Sequence, residues 1–414
     1  MHARPVSRRA FCSLAARWSA ALGGAGLLCS SSPLRRLTGL EPDAAFAEPL
    51  NELVRQAPVA RYWTSTAAPG VGCSACHEPG QVEGQQHDHQ PAAVKCLLCA
   101  HVCAIAAGER GRCRARMNVG GELRSLVYGR PITEHVDPIE KKPFYHFLPG
   151  SAAYSLATSG CPLRCKFCQN WEISQASPED YAAPFCPADA MVQRAADARA
   201  PVIAFTYNEP TVFVEYLTDI ARQARKEGIR AVLISCGYMN QEPLAEMIEV
   251  LDAIKIDLKG FSPQFYEKVS SAQLEPVLRS IVQIARAGRH LELVNLVVPT
   301  LNDSEAALGE LAGWVVGELG PDVPVHFTRF HPDYQLLNLP PTPVATLERA
   351  REIALARGIR YAYVGNVPGH PGNHTYCPSC GKVCVERNGF FVTRMEVQNG
   401  RCRYCQAEVA GVWN

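Results

Sequence analysis

Three cysteines, Cys161, Cys165 and Cys168, stand within eight residues at the spacing C-x3-C-x2-C. Three thiolates in so short a loop can each ligate one iron of a [4Fe-4S] cluster, leaving the fourth iron open to an exogenous ligand. An open iron points to catalysis. A structural tetrahedral zinc site would need a fourth protein ligand, and no His or Cys follows Cys168 within the next fifteen residues. A second set, Cys96-x2-Cys99-x3-Cys103-x9-Cys113, offers four thiolates in eighteen residues and can close a site completely. Zinc would make it a folding staple, whereas a second [4Fe-4S] cluster would relay electrons or bind substrate; spacing alone does not choose the metal. Arg110, Arg112, Arg114 and Arg116 surround Cys113. They either favour its thiolate form or make a solvated loop.

A third set, Cys377-x2-Cys380 and Cys402-x2-Cys405, flanks an alternating segment over 389–397. Two such knuckles separated by a hairpin predict a zinc ribbon, a closed structural site. Cys73-Ser74-Ala75-Cys76-His77 fits c-type haem attachment, with His87, His89 and Met117 as candidate distal ligands. A zinc or iron site using nearby histidines, or uncommitted loop cysteines, are the alternatives. Cys12, Cys29, Cys186, Cys236 and Cys384 complete the 18 cysteines of the 414-residue chain. A chain this long buries its own core, so clustered cysteines argue for metal or redox chemistry over a disulfide scaffold.

The elements that must position these residues follow from hydrophobic patterning. From about Tyr154 onward, short apolar runs alternate with amphipathic stretches, the signature of βα units and a parallel sheet. Six strands are expected at 154–158, 202–207, 230–235, 253–258, 291–298 and 325–330. Crossover helices are expected at 212–227, 242–251, 275–287 and 304–318, the last capped by Asp303 or Ser304. Six such units would curl into a partial (βα)6 TIM-like barrel of the α/β class, with chemistry at the C-terminal ends of its strands. Those ends carry Gly160-Cys161, Asn208-Glu209-Pro210, Ser235-Cys236-Gly237, Asp257-Leu258-Lys259, Thr300-Leu301-Asn302 and Phe330-His331. The organisation is therefore a leader (1–47), a variable segment with the CxxCH motif (48–95), a four-cysteine metal module (96–150), the barrel (151–368) and the ribbon (369–414).

Composition narrows the function classes. Forty-one Lys and Arg against forty Asp and Glu leave a net charge of +1, which gives no broad footprint for nucleic acid. No apolar run reaches the roughly 20 residues of a spanning helix. The first forty residues hold six arginines and no acidic residue, and Ser7-Arg8-Arg9-Ala10-Phe11 precedes an apolar stretch at 18–28. That resembles a twin-arginine export signal, with Ala45-Phe46-Ala47 as a cleavage site. A flexible basic extension and an organellar transit peptide share the composition. Cytoplasmic assembly of the metal centres followed by export to the periplasm is one coherent route, and residence inside the cell is the other.

With Phe167 before the third cysteine, the Cys161 loop resembles the signature of the radical S-adenosylmethionine superfamily. Over 96–414, the chain resembles the radical enzyme of the AmmeMemoRadiSam system, itself similar to pyruvate formate-lyase activating enzymes. The likeness rests on Cys96-Leu97-Leu98-Cys99, Leu126 to Arg130, Val136 to Pro143, Tyr145 to Gly150, Gln169-Asn170-Trp171, Thr206 to Pro210 and the closing cysteine element. It implies a [4Fe-4S] cluster on Cys161, Cys165 and Cys168 that cleaves S-adenosylmethionine reductively to methionine and a 5'-deoxyadenosyl radical. A low-potential electron donor, a protein substrate with an abstractable glycyl hydrogen and AmmeMemoRadiSam partners are implied with it.

The resemblance also implies cofactor contacts. Phe167 lies within the cluster loop. Asn208 and Glu209 stand where relatives bind the methionyl amine, although Tyr207 and Asn208 replace the two glycines of the common pattern. Asp257 and Lys259 match an Asp-x-Lys whose lysine pairs with the methionyl carboxylate; a solvated charge pair is the alternative. Ser235 is a polar strand-end residue near the cofactor, with Cys236 a small buried neighbour. His331 stands where relatives place a histidine near the nucleoside, or is structural. Radical modification of RNA or a small metabolite, and a non-catalytic metal-stapled binding protein, are the competing functions.

Overall fold

The computed structural model describes residues 49–65 and 92–414. The leader and the Cys73-Cys76-His77 motif with His87 and His89 lie outside the described residues; Met117 sits in a short hairpin. Among the described residues, no helix is long and apolar enough to cross a membrane.

The alternating runs build one mixed sheet of eight strands: β1 (Thr133–Pro138), β2 (Ala152–Ala157), β3 (Val202–Phe205), β4 (Arg230–Ser235), β5 (Ala253–Asp257), β6 (His290–Val297), β7 (Val325–Arg329) and β8 (Ala362–Gly365). They follow one another in chain order across the sheet. β2 to β8 are parallel and β1 is antiparallel to β2. The six expected strands are β2 to β7, so the six-unit count is short by two edge strands. One is the parallel β8. The other is β1, whose Glu134, His135 and Asp137 hide it as a strand.

Between the parallel strands run α1 (Ala188–Asp197), α2 (Val214–Lys226), α3 (Gln241–Val250), α4 (Leu274–Arg286), α5 (Glu305–Leu319) and α6 (Val344–Ala356). α2 shows why these residues become helices. Leu217, Ile220, Ala221 and Ala224 are buried at helical spacing, while Arg222, Arg225 and Lys226 face out. Ser304 caps α5, its hydroxyl accepting from the Ala307 amide at 3.2 Å.

Strand parity divides the core in two. Ile203, Phe205, Leu233, Ile254 and Ile256 join a large cluster with the helices, whereas Val202, Ala204, Val232, Ile234 and Ala253 pack against Ile139, Phe144 and Phe147. Both faces of the strands are thus covered, as parallel sheets require. On β5 the second face changes character along the strand, from Ala253 to Lys255 to Asp257.

Cys96 ends one of three short antiparallel strands at 63–65, 94–96 and 104–105, Cys99, Cys103 and Cys113 lie in the loops beside them, and the hairpin Arg116–Val119 and Glu122–Ser125 follows. Its two-residue turn, Gly120-Gly121, has both φ angles positive, the geometry that matches strand twist. Cys96, Leu98, Ile105 and Ala115 belong to the large core cluster, so this module is built into the sheet domain. At the other end, β9 (Val383–Asn388) and β10 (Phe391–Met395) form the hairpin between the two C-terminal knuckles. It starts before the alternating segment read from sequence.

Candidate active site

The C-terminal ends of β2 to β5 bring most of the candidate residues together. Cys161, Cys165 and Cys168 lie in the loop after β2, with Cys165 buried and the other two partly so. The loop is pinned at several points. Arg164 and Lys166 amides donate to the Ser270 and Val269 carbonyls at 3.0 Å, the Gln335 amide donates to the Lys166 carbonyl, and the Arg164 guanidinium donates to the Cys161 carbonyl at 2.7 Å. Burial pushes the Cys165 thiol up to about 11, with nearby Lys259 opposing the shift. Burial also raises Cys161 well above its usual range, and Glu209 adds to it.

Gly160 shows how closely the upstream module meets this loop. Its φ is +92°, and a Cβ there would stand 2.4 Å from the Cys113 carbonyl oxygen. Only glycine fits. The four arginines around Cys113 are part of the same seam. Arg110 pairs with Glu179 at 2.8 Å, Arg112 donates to the Pro162 carbonyl at 3.2 Å, Arg114 donates to the Gln175 carbonyl, and Arg116 pairs with Glu215. They dock the module, Arg116 from a buried position and Arg112 from an exposed one.

At the end of β3, Asn208 donates to the Gly160 carbonyl at 2.8 Å, while its Oδ1 is buried without a hydrogen-bond partner. Glu209, buried, is fully engaged. Its carboxylate accepts from the Thr211 hydroxyl at 2.6 Å, the Ser235 hydroxyl at 2.7 Å and the Cys236 amide at 2.7 Å. Tyr207, where a glycine was expected from the resemblance, holds φ at +69°. That conformation is strained for tyrosine, and its hydroxyl bond to Asp137 at 2.5 Å and the Lys142 ammonium 4.9 Å from its ring hold it there.

At the end of β5, Asp257 bridges two lysines, Lys255 and Lys259, the latter at 2.8 Å. Burial alone would raise the Asp257 carboxyl, but the two ammonium groups prevail and bring it to about 2. Burial would lower Lys259; Asp257, then Cys165, raise it above its usual range instead. Lys259 Nζ lies 5.9 Å from the centre of the Phe167 ring, and Phe167 stacks on Phe265. Thus Phe167, Lys259 and the cysteine loop share one locality. His331 does not join this network; it is exposed just past β7.

No motif marked Lys255, Asn295 or Thr211 as supporting residues, and Asn302 and Cys236 stood out only as strand-end positions. Lys255 lies mid-strand in an apolar run, and only strand alternation marks it as facing the same way as Asp257. Asn302 donates to the Lys259 carbonyl at 2.8 Å, and Asn295 donates to the Leu258 carbonyl at 2.8 Å, clamping the turn that carries Lys259. Thr211 and Cys236 fix Glu209. Cys236 reaches Glu209 across 27 residues, a pairing with no local signal.

In the C-terminal module, Cys377, Cys380, Cys402 and Cys405 bring all four thiols within 4.8 Å of one another. The sulfurs of Cys377 and Cys405 are 3.5 Å apart, and those of Cys380 and Cys402 are 3.8 Å apart. This is a metal-binding arrangement. Cys384, unassigned from sequence, is buried among the same residues.

Residues 155–312 match the family model of the Radical SAM superfamily. The chain is 42% identical over 318 residues to an uncharacterized protein of Methanocaldococcus jannaschii, covering 76% of this chain and 95% of that protein. It is 24% identical over 161 residues to the pyruvate formate-lyase-activating enzyme of Listeria monocytogenes, covering 37% of this chain and 64% of that enzyme. A (2S)-3-sulfopropanediol dehydratase activating enzyme of Klebsiella oxytoca is 24% identical over 112 residues, 27% of this chain and 35% of its own length. The chain therefore spans less than two thirds of either activating enzyme. The matched span contains the cysteine loop and the ends of β2 to β6. The chain belongs to the radical S-adenosylmethionine superfamily, whose [4Fe-4S] cluster cleaves S-adenosylmethionine reductively to start radical chemistry.

Proposed function

We propose that this protein is a radical enzyme of the activating-enzyme type, which abstracts a hydrogen from a glycyl residue of a partner protein. The observation that carries the site assignment is the convergence of Cys161, Cys165, Cys168, Phe167, Asn208 and Lys259 at neighbouring strand ends. The three thiols suit the corners of a cluster: they do not crowd within 4.8 Å as ligands of one ion do. When bound, the cluster supplies the electron that breaks the carbon-sulfur bond of S-adenosylmethionine, giving methionine and a 5'-deoxyadenosyl radical.

The chain's own groups bind and orient the cosubstrate. Asn208 Oδ1, an unpaired buried acceptor beside the cluster loop, receives the methionyl ammonium. Glu209 acts through others: it ties the ends of β3 and β4 together by way of Thr211, Ser235 and Cys236. Lys259 presents an ammonium beside the cluster loop for the methionyl carboxylate, and Asp257 keeps it charged and aimed. His331 is assigned to the nucleoside end. A low-potential electron donor must supply one electron per turnover, and the likeness to the AmmeMemoRadiSam radical enzyme makes the partners of that system the protein substrates to try first. The four C-terminal thiols hold zinc in a ribbon, since 3.5 and 3.8 Å are the spacings a single tetrahedral ion needs.

Anaerobic reconstitution, reduction and assay for 5'-deoxyadenosine test the reading. The expected result is production that incorporates deuterium from a partner labelled at glycine. Reduced, cluster-loaded protein that makes no 5'-deoxyadenosine with or without partners would overturn it; label arriving only from RNA or a small metabolite would reassign the substrate. Asn208→Ala and Lys259→Ala are each expected to weaken S-adenosylmethionine binding about tenfold or more while the cluster absorbance is unchanged. Unchanged affinity in equilibrium titration removes that residue from the site.

A further inference from the structure

We infer that Cys96, Cys99, Cys103 and Cys113 hold a second [4Fe-4S] cluster, ligated by protein at every corner. All four thiols line one cavity, whose wall also includes Arg116 and Pro162. Their spacing separates the two metals that the sequence leaves open. Zinc at about 2.3 Å from each sulfur draws tetrahedral thiolates to about 3.8 Å from one another. The C-terminal set has that geometry. Among the described residues it is the one group whose ligand atoms all fall within 4.8 Å, so no three of the upstream thiols meet that limit. In a four-iron cluster each thiolate binds its own iron, and the sulfurs stand farther apart. The upstream set shares this open spacing with Cys161, Cys165 and Cys168.

A second observation concerns a residue of the same cavity wall. Arg116 is 0% exposed, yet its Nε has no hydrogen-bond partner. The rest of its guanidinium is used, donating to the Arg61 carbonyl at 2.7 Å and pairing with Glu215. An unpaired N–H of a fixed cation beside Cys96 and Cys113 suits an anionic ligand. Four thiolates on a four-iron core provide one, and buried donors are otherwise costly. With four protein ligands no iron is open, so this cluster binds no S-adenosylmethionine. It lies against the reactive loop, because Pro162 forms part of its wall and the Cys113 carbonyl abuts Gly160.

The test uses the full chain, reconstituted anaerobically with iron and sulfide. Acid-labile sulfide, iron and zinc are counted per chain in the wild type, in Cys161→Ala/Cys165→Ala/Cys168→Ala and in Cys99→Ala/Cys103→Ala. The expected result is that each variant retains half of the wild-type sulfide, about four per chain. The double variant should keep the change in its electron paramagnetic resonance spectrum on adding S-adenosylmethionine, and the triple variant should lose it. A triple variant with no sulfide and two zinc ions per chain overturns the inference, as does a double variant whose sulfide equals that of the wild type. If the loop reading fails but this one holds, the triple variant keeps all the wild-type sulfide and the double variant loses it.

Discussion

Cys165→Ala is expected to abolish 5'-deoxyadenosine formation, lowering it by about a thousandfold or more, to background. With three thiolates available and the fourth corner reserved for the cosubstrate, losing one leaves two protein ligands. Two cannot hold a four-iron core against chelation or air. Cys165 is the informative choice because it is the buried member of the three, in a loop otherwise held by backbone hydrogen bonds to Val269 and Ser270. Those bonds do not involve its thiol, so the loop keeps its anchors in the variant. The check is paired. Circular dichroism should match the wild type, while the loop cluster's spectrum and 5'-deoxyadenosine both vanish. Retained product formation would remove Cys165 from the cluster.

Asp257→Asn is expected to cost about 3–5 kcal/mol, because it leaves the Lys255 ammonium buried without its counter-charge. The Lys255 side chain is only 4% exposed, and among the described residues its hydrogen-bond partner is Asp257. The cost corresponds to a fall in melting temperature on the order of 5–10 °C. The pH dependence has a definite sign. The carboxyl titrates near 2 in the folded protein and near about 3.9 when unfolded. Its contribution is therefore complete above the unfolded value and is lost as pH falls from about 4 towards about 2. The stability gap between wild type and variant should narrow by about 2 kcal/mol over that window and stay constant above it. A gap that does not narrow as the pH falls to about 2, measured by denaturant titration, would mean the asparagine disrupts packing rather than charge pairing. Lys259, released from Asp257, should also bind S-adenosylmethionine less tightly.

The supporting charges also explain which parts of the site could be read in advance. The strands β2 to β6 are mostly Val, Ile, Leu and Ala, which marks them by composition, while β7, Val-His-Phe-Thr-Arg, is marked by its β-branched and aromatic residues. β1 carries Glu134, His135 and Asp137, which pattern analysis scores as loop; it forms because its backbone pairs with β2 over six residues. β8 is four residues long, as β3 is, and is identified by its pairing with β7. In the site, Asp257 and Lys259 are legible as a strand-end pair. Lys255, which makes that pair a buried triad, is not, since its role depends on which face of β5 is covered. Asn208 was legible as a departure from a glycine pattern. That its Oδ1 is left without a partner depends on Gly160, 48 residues earlier in the chain.

The sequence by itself determined the chemistry available: three thiolates able to leave an iron open, two sets of four able to close a site, and βα units able to gather strand ends. These are local properties, set by residue type and spacing along a few consecutive positions. Tertiary structure alone decided how the thiols are spaced, which side chains neutralise buried lysines and which polar atoms are left unpaired. Glu215 meets Arg116 across 99 residues, and Asn302 clamps Lys259 across 43. Such pairs exist only once parallel strands have brought distant segments side by side, where burial makes each missing or present partner costly.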